Sequence, residues 1–208
     1  LETSLTAVTA TKKLIAFVDA DDIEAAKEYA LKLKALKHCD NCNLEGADLS
    51  NADLRSVHLI DAKLKNADLS NAILSGANFS NANLNGAIIS SANLQKINLA
   101  GANLSEATID FTNLMESKLI GANLSKANLY GSNLSGANLS ETNLSYSNLS
   151  GIDIDNANLN NANLTGANLA GANLTNANLT GANLAEVILT GAILCNTQTP
   201  WGIDYSGC

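Results

Sequence analysis

Proline, methionine and tryptophan occur once each in the chain, and aromatic residues make up only 4% of its 208 residues. A core built around a few bulky rings is therefore excluded. The apolar content of 46% must come from many small and medium side chains. No apolar run approaches the ~18 residues that a membrane-spanning helix needs, so no span is expected. Positive charge is scarce too: 12 Lys and Arg against 20 Asp and Glu give a net charge of −8, and no Lys or Arg follows Lys126. That balance excludes direct nucleic-acid binding by phosphate neutralisation, though not imitation of a nucleic acid. The first residue is Leu rather than Met, which fits a chain trimmed by removal of a signal peptide or by truncation.

What the sequence has in abundance is one pattern. From Leu44 to Leu194 every fifth residue is apolar, thirty-one positions without an insertion, and all are Leu except Phe79, Ile89, Ile109 and Ile154. Two residues before each stands Ala in most repeats, one residue before stands Asn or Asp, and two residues after stands Gly or Asn. A helix turning ~100° per residue scatters such leucines around its axis. A continuous strand sends alternate leucines to opposite faces. The pattern is satisfied if Ala and Leu share the inner face of a short strand with Asn pointing out between them. The next two residues then turn a corner, which restores the parity for the following repeat. Gly and Asn suit the corner because both tolerate positive φ. A chain that corners repeatedly in one sense winds into a solenoid.

The tandem Ala–(Asn/Asp)–Leu–x–x motif over residues 42–196 resembles the pentapeptide-repeat family. The resemblance implies an all-β solenoid, a right-handed quadrilateral β-helix with four repeats per coil. On that basis the chain makes nearly eight coils, and at ~4.8 Å per strand the rod is ~37 Å long. Three segments are expected: an α-helical N-terminal cap over 1–41, the β-helix over 42–196 and a capping tail over 197–208. Within the N-terminal segment, Ile23, Ala26, Ala30, Leu33 and Leu36 recur at helical spacing behind Asp21 and Asp22, and 11–18 reads as a shorter helix. In the last coil Ile188 and Ile193 replace the outward Asn. The tail with Trp201 is expected to fold back over them, the alternative being a dimer interface at that end.

Cys39 and Cys42 stand at one end of this rod, Cys195 and Cys208 at the other. A disulfide needs Cα atoms within ~7 Å, so pairing between the ends, or one four-cysteine zinc site, is excluded within a monomer. Cys39–Cys42 and Cys195–Cys208 remain as candidate disulfides, with plain thiols as the simpler alternative. The C-x-x-C beside His38 also suits redox chemistry, but it lacks the βαβ setting of thioredoxin-like proteins. Zinc held by His38, Cys39 and Cys42 lacks a fourth ligand. Resemblance to cyanobacterial and chloroplast members with a C-x-x-C entry and a cysteine-closed tail suggests a thylakoid lumen or periplasm, with the cytoplasm as alternative.

No catalytic constellation is apparent, no cofactor or metal is expected, and a filled solenoid without inserted loops offers no cleft, so the protein is read as non-enzymatic. The outward irregularities Phe111, Met115, Tyr130 and Tyr146 form a possible contact patch for an unidentified protein partner. The chain is expected to be a monomeric scaffold or interaction module. The alternative, implied by family members that mimic duplex DNA, is a regulator of DNA gyrase. Against it, the repeats hold mostly uncharged Asn, and the C-terminus through which such members dimerise looks closed.

Overall fold

The computed structural model describes residues 37–208. The helices expected over 11–18 and 21–36 lie outside the described residues. The described part of the expected cap is not helical: His38 already pairs with His58, and Asn41 has the φ of +60° that marks a corner. The C-x-x-C explains this extension of the solenoid. Cys39 takes the leucine position of one more repeat, and Cys42 the alanine position of the Leu44 repeat that follows it.

From His38 to Gln198, parallel bridges join each outward residue to the one twenty positions later, as in Asn43↔Lys63, Asp48↔Asp68 and Asp53↔Ile73. Five-residue repeats in a twenty-residue coil make four sides. Face I carries Leu44 and its successors, face II Leu49, face III Leu54 and face IV Leu59. A typical step shows why the sequence folds this way. Leu104 N–H donates to the Asn123 carbonyl at 2.7 Å, Asn123 N–H to Ala102 at 2.9 Å and Glu106 N–H to Ser125 at 3.0 Å. At the corner, Ala107 N–H donates to the Leu104 carbonyl at 3.1 Å. The outward Asn also shapes the turn, since Asn123 Oδ1 accepts the Ser125 N–H at 3.1 Å in an Asx turn. Its amide reaches down to Asn103 Oδ1 at 3.3 Å, so the asparagines form ladders rather than a merely solvated surface.

Alanines and leucines pointing inward are buried along the rod, and Phe79 fits between Leu59 and Leu99 at 1% exposure. Burying one leucine is worth about 1.5–3 kcal/mol, so stability accumulates rung by rung rather than around one nucleus.

The C-terminal end departs from expectation. Strands β1 (Thr197–Thr199) and β2 (Gly202–Asp204) form an antiparallel hairpin, with Gln198 continuing the face IV ladder from Asn178. The Cys195–Cys208 disulfide, with Cα atoms 4.8 Å apart, and a 2.8 Å bond from Leu194 N–H to the Ser206 carbonyl hold the last residues across face III. Asp204 accepts the Ser206 N–H at 2.7 Å, which holds its carboxyl below the usual range. The tail so placed does not cover the outward isoleucines. Ile188 remains 50% exposed, Ile193 40% and Trp201 70%. Gly207 approaches Ile193, where an added methyl would lie 3.2 Å from its Cα. The disulfide directs the hairpin over the end of the core instead. There Trp201 borders an apolar hollow of about 40 Å³ lined by Leu174, Leu184, Leu189 and Leu194.

Candidate functional site

Every corner places its second residue at positive φ. Asn and Gly take that conformation at little cost, but Phe111 (φ +53°) and Tyr146 (φ +58°) hold bulky side chains there. For residues other than Gly the left-handed region costs roughly 1–2 kcal/mol. Both rings are nevertheless 60% exposed, so burial does not offset the cost. Each ring lies along the rod over a glycine one coil ahead. A methyl on Gly131 would sit 3.0 Å from Phe111 Cε1, and one on Gly166 would sit 2.6 Å from the Tyr146 ring. Tyr130, the neighbour of Phe111 on the corner between faces II and III, meets it edge to face with ring centroids 5.3 Å apart. Tyr146 stands on the opposite margin of face II. The two corners thus raise aromatic walls beside a floor of Asn128, Asn148 and Asn168, where Asn148 Nδ2 donates to Asn128 Oδ1 at 2.8 Å.

The corner beneath Phe111 is built differently from the others. Its direct bond is replaced by the Ser132 hydroxyl, which accepts from Thr112 N–H at 2.9 Å and donates to the Ile109 carbonyl at 2.6 Å. Thr112 Oγ1 also donates to the Ile89 carbonyl one coil below at 2.9 Å, where the direct bond from Ala92 N–H is kept at 3.3 Å. The aromatic pair therefore stands on a corner bridged by the buried Ser132 hydroxyl. Sequence reasoning found the rings but not this support, although replacement of Ala by Thr112 and Ser132 was a visible signal. Met115 is half-buried on the next corner.

Charges nearby are paired along the rod axis. Lys96 Nζ lies 3.4 Å from Glu116 and Lys126 Nζ 3.9 Å from Glu106, while Ser90 donates to Asp110. At the N-terminal end Arg55 grips Asp53 with bonds of 2.8 and 2.6 Å, which keep that carboxyl below its usual range and raise the guanidinium. The His38 and His58 rings meet on face IV with centroids 4.2 Å apart and planes tilted by 56°. Cys39 and Cys42 form a disulfide at 2% exposure each, so neither sulfur is a thiolate available to zinc. No group of three or more His, Cys, Asp or Glu side chains suited to a metal occurs among the described residues. No described helix is long and apolar enough to cross a membrane. Aromatic and amide groups at this site support binding.

The family described as pentapeptide repeats matches the chain in eight copies, over residues 38–71, 52–90, 62–99, 89–121, 122–161 and 157–196. HetL, a pentapeptide-repeat protein involved in heterocyst differentiation regulation in the cyanobacterium Nostoc sp. strain PCC 7120, is 31% identical. That alignment covers 79% of this chain and 88% of HetL with a TM-score of 0.50. A pentapeptide-repeat protein of the Arabidopsis thaliana thylakoid lumen is 32% identical over 43% of this chain and 63% of its own, with a TM-score of 0.43. The fluoroquinolone resistance protein QnrB1 shares 19% identity over 80% of this chain and 88% of its own, with a TM-score of 0.47. No curated protein sequence matches the chain.

Proposed function

Because the chain belongs to the pentapeptide-repeat family, we propose that it works as a non-enzymatic binding rod that engages a protein partner through Phe111, Tyr130 and Tyr146. The observation that carries this reading is the pair of exposed aromatic residues held at positive φ over glycines that give their rings room. Strained residues cluster at functional sites, and aromatic side chains dominate the energetics of protein interfaces. Met115 and Lys126 lie at the margin of the contact. The two disulfides and the likeness to a thylakoid-lumen protein support residence in an oxidising compartment, a lumen or periplasm.

The alternative, a DNA-mimicking regulator of gyrase, requires stacked carboxylates in place of phosphates. The outward row of face I from Asn83 through Asn103, Asn123, Asn143 and Asn163 to Asn183 is uncharged, which argues against it. The test is affinity capture from the source lysate with wild-type protein and a Phe111→Gly/Tyr146→Gly variant, each checked by circular dichroism. A partner retained by the wild type and lost by a folded variant supports the reading. Equal retention overturns it.

A further inference from the structure

The outward row of face IV opens with two histidines before it turns to asparagines. His38 bridges His58, His58 bridges Asn78 and Asn78 bridges Asn98. Two main-chain bonds set the register of the first step. Cys39 N–H donates to the His58 carbonyl and His58 N–H to the Lys37 carbonyl, each at 2.8 Å. The Cys39–Cys42 disulfide lies buried beside this step, so both imidazoles rise from a braced stretch of backbone. Spacing along the chain grouped His38 with the two cysteines. The twenty-residue coil groups it with His58 instead.

From this pair we propose a binding site for a divalent transition-metal ion, Cu²⁺ in preference to Ni²⁺ or Zn²⁺, held by one nitrogen of each ring with water in the remaining positions. Imidazole suits all three ions, and Cu²⁺ stands highest among them in affinity for a given set of donors. The ring geometry selects in the same direction. With metal–nitrogen bonds of ~2.0–2.1 Å, two imidazoles at a right angle about one ion have centroids ~4.5 Å apart, and two at the tetrahedral angle ~5.1 Å apart. The His38 and His58 centroids lie 4.2 Å apart, nearer the right-angled arrangement of tetragonal Cu²⁺ than the tetrahedral one of Zn²⁺. Their planes are tilted by 56° rather than parallel, which lets two ring edges converge on one point.

Asp40 supplies the outer support. Its Oδ1 accepts the Ile60 N–H at 2.9 Å, which ties the carboxylate to the coil that carries His58, and its Oδ2 lies 3.8 Å from His38 Nδ1. A carboxylate beside one ring nitrogen holds the N–H there and leaves the other nitrogen for the metal. Two protein donors leave an open coordination sphere, unlike the closed four-ligand shell of structural zinc. The ion joins two successive coils.

The full chain, stripped with EDTA and dialysed, is titrated with CuCl₂, NiCl₂ and ZnCl₂ by calorimetry, and the copper complex is read by electron paramagnetic resonance. One Cu²⁺ per chain is expected, bound more tightly than Ni²⁺ or Zn²⁺, with hyperfine structure from two imidazole nitrogens. His58→Asn introduces the residue that already follows in the row, so circular dichroism should show the fold kept. It should weaken Cu²⁺ binding by about ten-fold or more, as should His38→Asn, and leave at most one nitrogen in the spectrum. Asp40→Asn should weaken binding by roughly ten-fold while the two-nitrogen signal remains, which marks it as a positioning residue. Absence of saturable Cu²⁺ binding overturns the proposal. So does binding of one Cu²⁺ that survives His58→Asn, since that ion would sit adventitiously elsewhere on the chain.

Discussion

At the scale of single residues, the corner conformation separates positions that relieve strain from positions that hold it. Glu141 (φ +61°) and Tyr146 are side chains in a region suited to glycine, and neither is buried. Replacing either with Gly should raise stability by about 1 kcal/mol, read as a higher denaturant midpoint at unchanged slope. Gly166→Ala should lower it, because the new methyl meets the Tyr146 ring and the φ of +66° is strained for alanine. Ser117 supplies a second contrast. Its hydroxyl is buried without a hydrogen-bond partner, at a position where most repeats carry Ala. Ser117→Ala should therefore stabilise by about 1 kcal/mol in the same measurement. Ser132, which bridges Thr112 and Ile109, should not behave that way, and Ser132→Ala should destabilise.

Among elements, the two disulfides differ in access. Cys39 and Cys42 are buried in the first rung, whereas Cys208 is exposed at the chain end. Mild thiol reductant followed by alkylation and mass mapping should label Cys195 and Cys208 first, with the other pair labelled only after unfolding. Loss of the tail bridge costs at most about 3 kcal/mol for a loop of this length, confined to the hairpin. The tail also responds to acid. The Asp204 carboxyl is held below its usual range by the Ser206 N–H, so its contribution is fully present above its unfolded value, near pH ~4, and is lost as pH falls through the lowered folded value. Trp201 fluorescence should show this transition on acidification. Asp204→Asn, which keeps an acceptor without the titration, should remove it.

For the whole molecule, each coil touches only its neighbours, so the cost of a cavity depends on position along the rod. Leu124 is fully buried between coils, and Leu124→Ala should cost about 2–5 kcal/mol. Leu189 lies in the last coil against the end hollow, so Leu189→Ala should cost clearly less in the same equilibrium unfolding experiment. If both cost the same, the last coil is packed as tightly as the middle of the rod.

The five-residue period determined the solenoid on its own, because Ala, Asn and Leu at fixed offsets leave only one way to face inward, outward and around a corner. The same period placed Phe111, Tyr130 and Tyr146 on their corners. It did not disclose that Cys39 carries the repeat one step further towards the N-terminus, since C-x-x-C reads as chemistry until the coil shows both sulfurs in core positions. Nor did it disclose the hydroxyl-bridged corner under Phe111, which depends on a contact twenty-three residues apart. The end of the rod was decided by tertiary structure alone. Where a repeat stops, periodicity no longer constrains the chain, and the path of the tail over the core rather than over Ile188 and Ile193 follows from one disulfide and one backbone bond.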